Sequence, residues 1–588
     1  MLILTGALLV VLSWSVLTCC FILLGIIPAR LSGVTQWSQE ATRRSLWFGV
    51  LITTIFVYLM NLNAGLHSAQ ALAVFVILVA IIGAAGLTFV KPRFSRESKV
   101  AHPLQWVLMG TLLLAVAYLA VAALGPVTNY DSGLYHLGAI HYASEFPTVP
   151  GLANLYFAFG YSNAAFPLAA FLGNGPWGED GFRLLNGLFV VLAIVDLLLR
   201  LRQRKLTAGT YVLLVGLVIA LIPLIALSDY WVTSPSQDST VMIVTIVAVA
   251  YLTDAVAGRK DWVSNGVVAL ALSIMLILLR PTMVTFGLTL LAVLVAVWSR
   301  RRHESNSAGV KRAGVLIAAL AIVAGFAAVL RDYVLSGWLQ YPLSVHAFSV
   351  PWLAADPTPA RLATLGYHRD PSDLWNAAIS WQWIGSWIGR LPNQWETFEF
   401  ALLVFVSLVM LFAAQKFAKQ PMRWRSLVVV LAPSVIAVVT WFVASPPSFR
   451  FVWGPLFMVP GSVIGWVIWR ITEGRDSAQQ TRSSWLSARA IIVAASAPIL
   501  LVIAFSAIAR LNVDSMRVEH QWHLGISIPY VSAEIRVAPT KPRELSSGLT
   551  VQIPTESDQC WNTYPLCTPD PAGGLALRGT DVKDGFLP

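Results

Sequence analysis

LQWVLMGTLLLAVAYLAVAALG, residues 104–125, is followed within four residues by Asn129-Tyr130-Asp131-Ser132-Gly133-Leu134-Tyr135-His136, and this juxtaposition decides the fold class. The first part carries no charge and, as a helix rising about 1.5 Å per residue, is long enough to cross a bilayer core of about 30 Å. The second part places an acid, two tyrosines and a histidine where the chain would leave the lipid. Thirteen further apolar runs frame the pair. The spans read from the sequence are 2–27, 46–65, 70–90, 104–125, 181–199, 208–228, 239–257, 263–279, 282–298, 313–330, 397–414, 426–443, 451–469 and 490–509.

Composition agrees with that reading. Of 588 residues, 57% are hydrophobic and only 12% charged, against about 25% charged in a soluble chain. An all-α polytopic membrane protein of about fourteen transmembrane helices follows, because only helices satisfy their own backbone inside lipid in such a sequence. The first run lacks a basic leader and an evident cleavage site, and reads as a retained helix.

The net charge of +11 suggests nucleic acid at first sight. Its distribution points elsewhere. The basic residues cluster between pairs of spans: Arg30/Arg43/Arg44, Lys91/Arg93/Arg96/Lys99, Arg200/Arg202/Arg204/Lys205, Arg259/Lys260, Arg300/Arg301/Arg302/Lys311/Arg312, Lys416/Lys419/Arg423/Arg425 and Arg470/Arg475/Arg482/Arg489. This is the positive-inside pattern, and it puts both termini outside the cytoplasm. No phosphate-binding glycine loop of either common type is present, which argues against a nucleotide-driven pump and a cytoplasmic nucleotide-sugar domain.

The chain therefore divides into N-terminal helices (1–125), an outer loop with a candidate catalytic acid (126–180), helices (181–330), a Trp-rich outer loop (331–396), helices (397–509) and an extracytoplasmic tail domain (510–588). Within 126–180, Asp131 to Glu145 is expected as a helix lying on the surface, and Phe157 to Leu172 as a segment dipping into it. The seven tryptophans of 331–396 suit the headgroup level or a stacked sugar. In the tail, Val531–Val537 and Leu549–Ile553 read as short strands. Cys560 and Cys567 read as a local disulfide rather than half a metal site, since no histidine lies near in sequence. Cys19 and Cys20 read as packing residues.

Asp131 is the candidate catalytic base, since transfer to a hydroxyl needs a group to take the proton; a bare N-cap is the alternative. Tyr130, Tyr135 and His136 are candidates for binding substrate, with a hydrogen-bonded structural role open for His136. Asp238, in Ser234-Pro235-Ser236-Gln237-Asp238, can cap a helix and face the same cavity. The same caution applies to Glu179 and Asp180. Arg280 and Arg450 lie on the side where positive-inside topology does not need them. Each could grip a lipid-linked phosphate or snorkel to headgroups. Arg183 and Arg331 have weaker cases at span ends.

Tyr130-Asp131-Ser132-Gly133-Leu134-Tyr135-His136-Leu137 resembles the Asp-x-x-x-Tyr-His-Leu segment of an uncharacterised group of bacterial polytopic membrane proteins. Ser234-Pro235-Ser236-Gln237-Asp238 and Gln559-Cys560-Trp561…Pro565-Leu566-Cys567-Thr568-Pro569 resemble further motifs of that group. The group is similar in layout to the C-type (GT-C) glycosyltransferases. The resemblance implies inverting transfer of a sugar from a polyprenyl-phosphate donor to an envelope glycan, lipid or protein on the outer face of a bacterial inner membrane. It implies Asp131 as base and a divalent cation as optional. Two features depart from the pattern: the acidic loop follows the fourth span rather than the first, and Asp131 has no acidic neighbour closer in sequence than Glu145. The alternatives are a transporter or flippase of a lipid-linked saccharide, and a non-enzymatic envelope assembly protein.

Overall fold

The computed structural model describes residues 1–33, 37–89, 103–203, 206–258, 261–301, 307–417, 422–473, 482–511, 513–523 and 527–588. Several residues of the basic clusters, among them Lys91 to Lys99, Arg204, Lys205, Arg259, Lys260, Arg302, Lys419 and Arg475, lie outside the described residues. Among the described residues fourteen long helices carry the chain: α1 (Leu2–Leu31), α2 (Gln39–Asn61), α3 (Ala69–Phe89), α4 (Pro103–Ala122), α5 (Leu185–Leu201), α6 (Ala208–Ala226), α7 (Gln237–Ala257), α8 (Trp262–Leu279), α9 (Val284–Arg301), α10 (Ser307–Ser336), α11 (Trp395–Phe417), α12 (Trp424–Ala444), α13 (Trp453–Glu473) and α14 (Arg482–Ala509). Among the described residues, thirteen apolar helical segments are long enough to cross a membrane, and Trp106–Ala122 in α4 is a shorter apolar helix. The protein is an all-α polytopic membrane protein.

Local chemistry sets several helix starts. Ser38 caps α2 by accepting the Ala41 N–H, and Thr207 caps α6 by accepting the Thr210 N–H. Helices α1 and α2 cross with backbones almost touching. A side chain at Gly25 would meet the Ser45 carbonyl, and one at Gly49 the Phe21 carbonyl, so glycine is required at both places. Helix α7 is the buried centre and packs on α6, α8 and α13, whereas α3, α10 and α11 turn mostly apolar side chains outward.

The long connections and the tail gather at one end of the bundle, the loop end. Both chain termini lie there too, because the first turns of α1 pack against the Ser527–Ser532 strand. The tail forms antiparallel hairpins pairing Val518–His523 with Ser527–Ser532, Thr540–Glu544 with Thr550–Pro554, and Ala576–Leu577 with Phe586–Leu587. The strand expected over Val531–Val537 thus falls a few residues early, at Ser527–Ser532. The tail shares its core with the 126–180 loop: Val551, Leu575 and Phe586 pack with Tyr142, Val149 and Leu155. Cys560 and Cys567 form a disulfide with Cα atoms 5.8 Å apart.

Two expectations for the 126–180 loop need correction. The Asp131–Glu145 segment is not a surface helix. It is a π-helical turn, Ser132–His136, running into the helix Leu137–Glu145, and Ser132, His136 and Leu137 are buried beneath the tail. Residues Phe157 to Leu172 form a short 3-10 turn and the helix Ala165–Phe171, packed within protein.

At the opposite end, residues read as topology markers have a second role. Arg200 donates to Asp196 (2.6 Å) and Asp254 (2.5 Å), while Arg43 lies 3.6 Å from Asp196. The Trp47 indole N–H donates to Asp196 (2.6 Å), and the Gly209 N–H to Asp254 (2.8 Å). This network ties α2, α5, α6 and α7, with Arg43, Asp196 and Arg200 all buried. Removing one member strands its partner charges in a low dielectric. We therefore expect Arg200→Met to cost about 3–5 kcal/mol, read as a lowered thermal midpoint of the protein in detergent; an unchanged midpoint would refute this role.

Candidate functional site

Asp131 owes its position to a turn built in several steps. Helix α4 ends at Ala122, Gly125 and Pro126 turn the chain, and Asn129 is buried with its N–H donating to Ser234 Oγ (3.3 Å). The Asn129 side-chain oxygen accepts the Asp131 N–H at 2.9 Å, closing a local turn. The π turn then inserts one residue ahead of the following helix, a distortion common at functional sites. Asp131 stands at the N-cap position but its carboxylate caps nothing. It accepts a hydrogen bond from Arg450 Nη1 at 2.7 Å instead.

Arg450 sits in the 3-10 turn Phe449–Phe451 before α13. Its backbone carbonyl accepts a hydrogen bond from Arg280 Nη1 at 3.2 Å, and Arg280 Nη2 pairs with the Asp238 carboxylate. Asp238 also accepts from the Ser236 hydroxyl (3.0 Å), while Ser236 caps α7. Both guanidiniums stack on Phe451, with ring distances of 5.3 Å for Arg280 and 4.9 Å for Arg450. The fold thus joins four sequence candidates into one ladder, Asp131–Arg450–Arg280–Asp238. Burial acts to lower the Arg450 pKa, but the Asp131 and Asp238 carboxylates outweigh it and the pKa is raised, so this guanidinium stays charged.

The ladder borders a cavity of about 560 Å³ at the loop end. Asp131, Arg450 and Tyr130 reach its wall, together with Asp229, Glu396, His368, Arg390 and Arg510. Tyr230, Trp231 and Trp395 supply aromatic surface. Asp131 and Arg450 keep 18% and 20% of their side chains exposed, so both are reachable from the cavity yet largely desolvated. Asp238 and Arg280 are buried behind that wall. Arg280, a sequence candidate for gripping a phosphate or snorkelling to headgroups, is instead committed to Asp238.

Tyr135 and His136 also lie behind the Asp131 turn and are not part of the wall. His136 is buried with Nδ1 3.2 Å from Ser132 Oγ, and Tyr135 packs edge-on against it and Tyr161. Burial lowers the His136 pKa to about 4, despite an opposing pull from Asp131. His368, in the wall, is lowered to about 4 by burial and then by Arg450. The other outer charges fall elsewhere. Arg183 is buried against Asp180 (2.7 Å) and the carbonyls of Gly125 and Ala533, and Arg331 donates to Asn61 (2.5 Å) and Thr148 (3.0 Å). Among the described residues, no group of three or more His, Cys, Asp or Glu is arranged to hold a metal ion.

His368, Arg390, Glu396 and Arg510 are not singled out by the sequence, and Asp229 is marked there only as a member of the loop that carries Asp238. Arg390 and Arg510 carry the signal that flagged Arg280 and Arg450, a basic residue on the side topology does not require. For Glu396, read as the end of the Trp-rich loop, only the fold brings it toward Asp131.

The tail covers the outer side of the Asp131 turn. The Gln559 amide donates to the Tyr130 carbonyl (2.7 Å), the Trp561 N–H to the Gly133 carbonyl (2.8 Å), and the Tyr130 hydroxyl to Asp558. A Cβ on Gly133 would lie 2.5 Å from the Trp561 ring, so glycine is what lets the tail seat.

The architecture and the cavity define a multi-pass helical membrane protein with a charged site at one end. The chain belongs to a family described as a domain of unknown function (DUF8201), whose profile matches residues 8–457 and so spans the whole cavity apart from Arg510. No curated protein and no solved structure matches the chain.

Two outcomes follow. Gly133→Val unseats the Trp561 loop, so limited proteolysis of the tail accelerates while the helical bundle stays intact; an unaltered digestion pattern counts against the clamp. Between pH 6.5 and pH 4 the unfolded chain binds a proton that buried His136 resists. Its folded pKa is depressed, so stability is lost as pH falls through that window. His136→Gln therefore flattens the decline of the thermal midpoint relative to wild type, and an identical slope excludes this contribution.

Proposed function

We propose that this protein is a membrane glycosyltransferase that moves a sugar from a polyprenyl-phosphate carrier to an envelope glycan, lipid or protein. The observation that carries the reading is the Asp131 carboxylate, placed in the wall of a 560 Å³ cavity at the loop end of a transmembrane bundle. The cavity combines what such a reaction uses: a carboxylate to receive a proton, guanidiniums to meet a phosphate, and aromatic rings to flank a sugar. The Cys560–Cys567 disulfide favours placing the loop end outside the cytoplasm, and the resemblance makes that the outer face of a bacterial inner membrane.

In this reaction the acceptor hydroxyl attacks the anomeric carbon, and its proton passes to Asp131. The bond from that carbon to the phosphate oxygen breaks, and the carrier phosphate leaves with the electron pair. Arg450 holds one oxygen of the Asp131 carboxylate, and no hydrogen bond engages the other among the described residues. That oxygen is the proton acceptor. A transport reading requires a polar path across the bundle; the buried charges of α2, α5 and α7 are instead closed on one another.

Asp131→Asn keeps the size of the side chain and removes the base. In membranes supplied with a polyprenyl-phosphate sugar, transfer to endogenous acceptors is expected to fall by about 10²-fold or more. Transfer at the wild-type rate would remove Asp131 from the reaction.

A further inference from the structure

Arg450 is paired with Asp131 and Arg280 with Asp238, which raises the question of which cations in the cavity remain available to an anion. Two do. Arg390 hydrogen-bonds only to carbonyl oxygens, those of Ser386, His368 and Arg369, and makes no ion pair among the described residues. Arg510 lies 3.6 Å from Asp229 and keeps 42% of its side chain exposed, a loose pair.

Their location is informative. Arg390 lies just before α11 begins, and Arg510 immediately follows α14. Helix α11 packs on α13, and α14 packs on α4 and α6; among the described residues α11 and α14 do not pack as a pair. Between them α6 and α13 form a floor. On α6, Val212, Gly216 and Ile219 meet α13. Beside that contact, which Val215 also borders, runs a half-buried stripe of Val218, Ile222 and Ala226, spaced by four residues and so on one helix face. The stripe leads to Leu227, which lines the cavity. The stripe thus climbs the bundle toward the cavity whose wall also holds Arg390, Arg510 and, at the start of α11, Trp395.

We propose that this α11–α14 seam is a binding groove for a phosphate-bearing lipid, with the hydrocarbon chain along the α6 stripe and the phosphate held between Arg390 and Arg510. An apolar tail gains by covering the stripe, and a phosphate gives Arg390 a direct ion-pair partner, since Asp370 acts on it only through space. The assignment deepens the glycosyl-transfer reading and rests on it only for the choice of an isoprenoid chain; the groove and its two cations stand on their own geometry.

The test uses the full chain in detergent, titrated separately with undecaprenyl phosphate, dioleoyl phosphatidate and inorganic phosphate, and read by native mass spectrometry and tryptophan fluorescence. Undecaprenyl phosphate is expected to form a one-to-one adduct, weakened at least tenfold by Arg390→Ala or Arg510→Ala. Ile222→Trp, which fills the groove, weakens both lipids and leaves the response to inorganic phosphate unchanged. Equal affinity for phosphatidate upholds the groove and assigns it to bulk anionic lipid rather than an isoprenoid carrier. Undiminished lipid affinity in the Arg390→Ala/Arg510→Ala double variant, with its thermal midpoint preserved, overturns the proposal. Intact lipid binding without sugar transfer overturns the glycosyltransferase reading alone.

Discussion

Taking a charge out of water costs several kcal/mol unless an opposite charge or a set of hydrogen bonds meets it, and this constraint organises the molecule from end to end. At the opposite end Arg43, Asp196, Arg200 and Asp254 meet it by closing on one another. At the loop end Asp238 and Arg280 do the same, and they brace the turn from which Arg450 reaches Asp131. The two ends differ in access. One network is sealed within the helices, whereas the other leaves its last pair in a cavity wall.

That difference turns a structural pairing into a candidate site. Asp238 and Arg280 are the rigid inner half of the ladder. Their pairing fixes α7 against the α8 terminus and sets the height at which Arg450 stands. Arg450 in turn orients one oxygen of Asp131, and the residue lines the cavity. The tail completes the arrangement from outside. Trp561 sits on Gly133, and the disulfide from Cys560 to Cys567 closes the loop that carries Trp561. A turn pinned from both sides keeps its carboxylate in place without relying on the turn's own propensity.

Much of the scaffold was legible in the chain because lipid imposes a coarse, one-dimensional rule: an apolar run of sufficient length becomes a helix. All fourteen spans correspond to helices, and their ends differ from the expected bounds by a few residues in most cases. Asp131, Arg450, Asp238 and Arg280 could be singled out because a charge at the loop end of an apolar run is conspicuous. Their mutual pairing could not, since Asp131 and Arg450 lie more than three hundred residues apart. Tyr135 and His136 were conspicuous for the same reason, yet they serve as the packed backing of the turn. The burial of residues 131–145 was also hidden, because the tail that covers them comes at the other end of the sequence.

The sequence by itself determined the helices, their number and the collection of polar residues at their ends, since hydropathy acts locally along the chain. Tertiary structure alone decided which charges are spent on one another and which remain available. Arg280 and Arg390 look alike as isolated arginines at the same end of the bundle. One is neutralised by Asp238 and the other meets only carbonyl oxygens. Coulomb energy depends on distance through space, and that distance exists only once the helices have packed.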